Sequence, residues 1–177
     1  LLRKDLPTLI RLLASKPGLE DLALTTNGIL LAEQAQALKE AGLHRITLSL
    51  DTLNPASFEE LTRRPLLNSV FQGLEAAQKI GFDSIKINTV IIRGFNDHEV
   101  ANLLRFAKEV GALIRFIEYM DVGGATQWEA SQVVPQKELL SIIENEFGPT
   151  QTMTNRGSVP AQTYILGDGT PFGIIAS

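Results

Sequence analysis

Four strand-like runs, separated by amphipathic helical stretches, limit what this chain of 177 residues can become. They are Asp21 to Asn27, Arg45 to Asp51, Ser84 to Ile92 and Leu113 to Met120. Two parallel strands cannot be joined by a tight turn, so a repeated strand-then-helix rhythm implies a parallel sheet with crossover helices. Folds of this kind bind their ligands at the carboxyl ends of the strands. Polar residues near those ends therefore mark a candidate pocket. The chain has no cysteine, which excludes disulfides and thiolate ligands within it, and His44 and His98 are its two imidazoles.

The segments between the runs carry helix signals. Asp5 and Pro7 suit the N-cap and first turn of a helix through Leu9, Leu12 and Leu13, which stops near Pro17-Gly18. Leu31 to Ala41 places Ala35, Leu38 and Ala41 at helical spacing, and Gly42 ends it. Asn68 to Ile80 puts Val70, Leu74 and Ala77 on one face before Gly81. Asp97 is expected to cap a helix from Glu99 to Val110, and Pro135 to Phe147 forms a last helix. Asn27-Gly28 reads as a turn, and Ala161 to Leu166 with Pro171 to Ala176 as an antiparallel pair around Gly167-Asp168-Gly169. The first helix has no strand before it, and the chain stops inside a strand-like run. We read it as a piece lacking neighbours on both sides.

Charge and hydropathy narrow the partners. Sixteen basic against twenty acidic residues give a formal charge of −4, so no general attraction to nucleic acid is expected. No apolar run approaches the roughly 20 residues of a membrane span, and no signal-peptide pattern opens the chain. The expectation is a cytoplasmic protein that binds neither membrane nor nucleic acid.

Strand periodicity sorts the polar groups by face. On the third run Lys86 and Asn88 share one side, and Ile85, Ile87 and Ile91 share the other. The apolar side suits packing under helices, which turns Lys86 and Asn88 to the interior of a barrel. Thr47, Ser49 and Asp51 form the matching set on the second run, and Thr25 with Asn27 on the first. An interior ammonium needs an anionic ligand or a carboxylate partner. On the fourth run Arg115 and Glu118 have opposite parity, so a bulge or an exposed end is needed to turn both inward. Each residue also has a plainer reading. Thr25 and Ser49 can satisfy backbone groups at strand ends, Lys86 can pair with an internal acid, and Met120 can fill a gap in the core. His44 and His98 read as solvated residues at helix ends, Arg63-Arg64 as a solvated loop pair, and Trp128 as a residue able to pack as a lid.

Several stretches carry a resemblance. Leu1-Leu2-Arg3-Lys4-Asp5-Leu6, Ala23-Leu24-Thr25-Thr26-Asn27-Gly28 and Thr47 to Leu53 resemble the GTP 3',8-cyclases, radical S-adenosylmethionine enzymes of molybdenum cofactor biosynthesis. Lys86-Ile87-Asn88, Arg93 to Asp97 and Arg115 to Gly123 continue it in the same order, and the last is the most specific. The resemblance implies an α/β fold, a partial TIM-like βα barrel with about four parallel strands, crossover helices and the start of a C-terminal extension. Residues 1–123 would be the C-terminal part of the barrel and 124–177 the start of that extension. Two 4Fe-4S clusters, S-adenosylmethionine and GTP belong to the parent enzyme, and the two cysteine triplets would lie before Leu1 and after Ser177.

Carried over by position, Thr25 and Lys86 resemble the GTP contacts and Ser49 and Met120 the S-adenosylmethionine contacts, while Arg115 and Asn88 are lesser candidates. The parent would convert GTP to 3',8-cyclo-7,8-dihydro-GTP by radical chemistry, and the chain alone would be inactive. Other radical S-adenosylmethionine enzymes are one alternative. A barrel aldolase using Lys86 as a Schiff-base nucleophile is another. Without preceding strands the run at Leu22 to Thr26 is an unprotected edge, so the isolated chain is expected to self-associate.

Overall fold

The computed structural model describes residues 3–121, 128–153 and 161–176. Leu1-Leu2 and the Val122-Gly123 end of the Arg115 motif lie outside the described residues. The chain divides into two compact units, Leu1–Leu50 with Asn54–Ile87, and Asp51–Leu53 with Asn88–Ser177.

The first unit contains helix α1 (Leu6–Ala14), strand β1 (Ala23–Thr26), α2 (Leu31–Glu40), β2 (Arg45–Ser49), α3 (Pro55–Thr62), α4 (Leu67–Ile80) and the first half of β3 (Ser84–Ile91). β1 and β2 pair in parallel with Thr25 opposite Thr47, and β3 follows β2 in the sheet. The expected helix faces are buried: Ala35, Leu38 and Ala41 from the second helical stretch, and Val70, Leu74 and Ala77 from α4. Ile46, Leu48, Ile85 and Ile87 are buried from the strands.

The β1–α2 turn folds for local reasons. Thr26 Oγ1 accepts from the Gly28 amide at 3.1 Å and Asn27 Oδ1 from the Ile29 amide at 3.3 Å. Gly28 takes a φ of +79°, and a Cβ there would meet Leu48 Cδ2 at 2.8 Å. Glycine is required on both counts. Gly73 of α4 packs against the same turn, so close that a Cβ on it would stand 2.5 Å from the Gly28 carbonyl oxygen.

Some expectations are corrected. Asp5 stands at the N-cap position of α1 as expected but makes no side-chain capping bond; its carboxylate pairs with Arg3 at 2.8 Å. Helix α3 escapes a reading by apolar periodicity, yet Asn54 Oδ1 accepts from the Ala56 and Ser57 amides at 2.9 and 3.2 Å, with Pro55 leading the first turn. An Asn-Pro pair was the available signal. His44 is not a solvated end residue. Its Nδ1 accepts from the Leu22 amide at 2.9 Å, which fixes the approach to β1.

The second unit contains the second half of β3, α5 (Val100–Glu109), β4 (Leu113–Glu118), α6 (Gln136–Phe147), β5 (Gln151–Thr152), β6 (Gln162–Ile165) and β7 (Pro171–Ile175). Its strands run in the order β3-β4-β7-β6-β5. The β6–β7 pair is antiparallel as expected, but β7 also lies parallel beside β4, with Arg115 opposite Gly173. That insertion is not visible in local patterns, because it depends on pairing between strands distant in the chain.

β4 is a regular strand with no bulge, and it ends at Glu118 rather than Met120. Arg115 and Glu118 stay on opposite faces. Glu118 is buried, and its Oε1 accepts from the Gln136 amide at 2.5 Å, serving an orphan donor at the start of α6. Asp97 lies in a 3₁₀ turn (Asp97–Glu99) ahead of α5 and accepts from the Gly94 amide at 3.0 Å, so it tightens the preceding loop instead of capping the helix.

Candidate functional site

In the first unit, Thr25 and Ser49 project from the face of β1 and β2 opposite the buried Ile46 and Leu48, and both are exposed. Neither hydroxyl has a protein hydrogen-bond partner among the described residues. The backbone service that Thr25 might have performed falls to Thr26 instead. Both hydroxyls are thus open to a ligand or water.

Lys86 is half-buried on the β3 face opposite the buried Ile85 and Ile87. Asp21 is the named carboxylate in its field. The Arg45 guanidinium, with Nε 2.6 Å from Asp21 Oδ1, holds that carboxyl below its ordinary range, and the charges of His44 and Lys86 add smaller pushes in the same direction. Asp21 is exposed rather than internal, and Arg45 engages its carboxylate directly.

In the second unit, Arg115 Nε donates to Asn88 Oδ1 at 2.8 Å, which brings together two of the sequence candidates. The arginine stem runs past Gly173, where a Cβ would stand 3.1 Å from Arg115 Cγ. Met120 lies beyond β4 with 36% of its surface exposed, so it is not core filler. Trp128 Nε1 donates to the Tyr119 carbonyl at 3.4 Å. A cleft of about 470 Å³ opens between α3 and α4, lined by Pro55, Glu59, Pro65, Asn68 and Phe71. None of the sequence candidates lines it.

The polar cluster that sequence reading missed lies within the second unit, around Val90 of β3. Asp51 Oδ1 accepts from the Val90 amide at 2.7 Å, while Asn96 Nδ2 donates to the Val90 carbonyl at 2.9 Å and to the Asp51 carbonyl at 2.7 Å. Asn96 Oδ1 accepts from the Ile92 amide at 2.8 Å. Glu99 completes the cluster by accepting from Thr52 Oγ1 at 2.5 Å and from the Leu53 amide at 2.8 Å. Asp51-Thr52-Leu53 and the Arg93 to Asp97 stretch each belong to a recognisable motif, but nothing local announces that they bond to each other.

Burial pushes the Asp51 carboxyl above the usual carboxylate range, and the Val90 amide opposes this only in part. A raised folded value means that Asp51 favours the fold most below its unfolded value. That contribution disappears as pH climbs through the folded value. Asp51→Asn keeps the acceptor for Val90 and removes the desolvated charge. The urea midpoint should therefore rise at pH 7, with a gain that shrinks toward pH 4. An unchanged or lower midpoint at pH 7 contradicts this.

The radical SAM superfamily profile matches residues 1–107. The chain belongs to the radical SAM superfamily. Over its whole length it is 49% identical to GTP 3',8-cyclase 3 of Mycobacterium bovis, covering 48% of that protein. It is 49% identical to the GTP 3',8-cyclase of Acidothermus cellulolyticus and 45% identical to that of Aquifex aeolicus, again across the full chain, covering 49% and 55% of them. The chain spans about half the length of the curated relatives it matches. A solved structure of TYW1 with a lysine-pyruvate adduct bound superposes at a TM-score of 0.62 over 86% of this chain and 49% of that one, at 17% identity. That likeness supports an α/β architecture of the radical SAM type, with a mostly parallel sheet and crossover helices.

The donor set of this radical SAM chain does not fit an iron–sulfur cluster. It has no cysteine, and no group of three or more His, Asp or Glu among the described residues could hold a metal ion. The open hydroxyls of Thr25 and Ser49 do fit a polar organic ligand. No helix among the described residues is long and apolar enough to cross a membrane.

Proposed function

We propose that the chain is the central part of a cytoplasmic GTP 3',8-cyclase, which uses S-adenosylmethionine to convert GTP to 3',8-cyclo-7,8-dihydro-GTP in molybdenum cofactor biosynthesis. The identity of 45–49% across the whole chain to proteins of that name carries this reading. Residues 1–123 would be the later barrel strands and 124–177 the start of an extension. Both clusters would be ligated by cysteines elsewhere in the parent protein.

Within this reading Thr25 and Lys86 contact GTP, and Ser49 and Met120 contact S-adenosylmethionine. Lys86 offers a point charge to an anionic nucleotide, and its strand position opposite the buried isoleucines supports an inward role. Ser49 offers a donor and acceptor unclaimed by its neighbours. Arg115 and Asn88, joined by a bond of 2.8 Å, remain lesser candidates.

The test is a reconstituted, reduced full-length parent, assayed for 5'-deoxyadenosine and for the cyclised nucleotide. Both should form with GTP present, and Lys86→Ala should weaken GTP binding at least tenfold by calorimetry. Turnover of S-adenosylmethionine with no cyclised nucleotide would move the chain to another radical SAM activity. The chain on its own should form no 5'-deoxyadenosine and should self-associate along the open edge of β1, as read by light scattering.

A further inference from the structure

Thr47 is the middle residue of β2, and its side chain falls on the same face as that of Ser49, two positions further on. Across the sheet it stands directly opposite Thr25 in the parallel register, so the two threonines occupy one row, about one strand spacing of 4.8 Å apart. β3, which carries Lys86, flanks β2 on its other side. Thr47 therefore lies between the strands that supply Thr25 and Lys86, and all four residues belong to the first unit.

Unlike Thr25 and Ser49, Thr47 is only 6% exposed. Its hydroxyl nevertheless has no protein hydrogen-bond partner among the described residues. No side-chain oxygen or nitrogen among those residues is both sealed from solvent and unbonded, so the Thr47 oxygen keeps a path to the open face. Its neighbours are committed elsewhere. Thr26, also buried but on the opposite face, spends its hydroxyl on the Gly28 amide, and Arg45, on the face of Thr47, is spent on Asp21. A nearly buried hydroxyl that bonds nothing in the protein gives up hydration without return, and a ligand laid over the row would restore the lost bond. Valine has the same branched shape and suits a strand as well, with no polar atom to desolvate. A threonine at this position is thus a disadvantage to the fold unless its hydroxyl is used.

We propose that Thr47 is a further GTP contact, its hydroxyl bonding the nucleotide between the groups offered by Thr25 and Lys86. The proposal rests on the reading that Thr25 and Lys86 contact GTP. Spacing favours GTP over S-adenosylmethionine, because Thr25 is one strand away while Ser49 lies two residues along β2, about 6.6 Å. The hydroxyl can donate or accept, so it suits the mixed donors and acceptors of a nucleotide.

The experiment is calorimetric titration of the reconstituted full-length parent, without reductant, with GTP and separately with S-adenosylmethionine, beside melting temperatures of the unliganded proteins. Thr47→Val should weaken GTP binding at least threefold, leave S-adenosylmethionine affinity within twofold, and melt at or above the temperature of the parent. Thr47→Ser keeps the hydroxyl and should bind GTP within twofold of the parent. A GTP loss below threefold in Thr47→Val overturns the proposal. So does a loss of S-adenosylmethionine affinity as large as that of GTP, or a lower melting temperature with both ligands weakened, which marks a threonine that merely holds the fold. A Thr47→Ser protein as weak as Thr47→Val overturns it too. If Thr47→Val fails to fold, Thr47→Ala decides by the same ligand readings. Thr25→Val and Lys86→Ala test the underlying reading separately. Full GTP affinity in both removes that reading, and the proposal with it. Weakened GTP binding in both beside an unaffected Thr47→Val overturns the role of Thr47 alone.

Discussion

Asn96→Leu should destabilise the fold by about 3–6 kcal/mol, the largest effect expected of any single substitution considered. The residue is wholly buried, and its amide serves the Ile92 amide and the Asp51 and Val90 carbonyls at once. Leucine fills a similar volume and offers none of these bonds, and each buried backbone group left without a partner costs about 1–3 kcal/mol. Set against a typical domain stability of about 5–15 kcal/mol, the variant should be near its limit at 37 °C. Asn96→Asp is the informative companion, because its carboxylate accepts from Ile92 but repels the two carbonyls. Urea denaturation measures both variants. A loss under about 1 kcal/mol for Asn96→Leu would mean that these backbone groups find other partners.

Gly73→Ala should also destabilise, against the ordinary trend for a helix interior. Alanine gains about 1 kcal/mol over glycine in helix propensity. At this position its Cβ would stand 2.5 Å from the Gly28 carbonyl oxygen and 2.9 Å from Leu31 Cβ. The first obstacle is backbone, in a turn already pinned by the positive φ of Gly28, so it cannot rotate aside. Overpacking of this kind costs typically 1–3 kcal/mol and occasionally more, and with an immovable neighbour we expect a net loss of about 2 kcal/mol. Gly167→Ala is the control. Nothing lies within 4 Å of a Cβ there, and its φ falls outside the left-handed region. A midpoint for Gly73→Ala equal to or above that of the parent would show that the two elements separate readily.

The strand and helix framework was legible because burial follows periodicity. Ile85, Ile87 and Ile91 are buried along β3, and Lys86 and Asn88 are half-buried between them. The opposite parity of Arg115 and Glu118 was also legible, but the bulge needed to reconcile them was not required, because Glu118 belongs to the N-terminus of α6. What stayed hidden is non-local. Nothing local in Asn96 or Glu99 announces that Asn96 bonds the Asp51 and Val90 carbonyls or that Glu99 bonds Thr52 and Leu53. The parallel place of β7 was hidden for the same reason. Ser49 and Thr25 were legible as strand-end hydroxyls, yet only their lack of protein partners separates them from Thr26, whose hydroxyl is spent on the Gly28 turn.

The position of β7 has a consequence for how the second unit is made. A ribosome releases β4 long before β7, yet β7 is the strand that closes the β4 edge and joins β6 to it. Through that interval nascent β4 presents unpaired amides and carbonyls beside Phe116, which is fully buried once folding is complete. Chaperone dependence during synthesis should thus concentrate on this half of the molecule, and shortening the delay by circular permutation should relieve it.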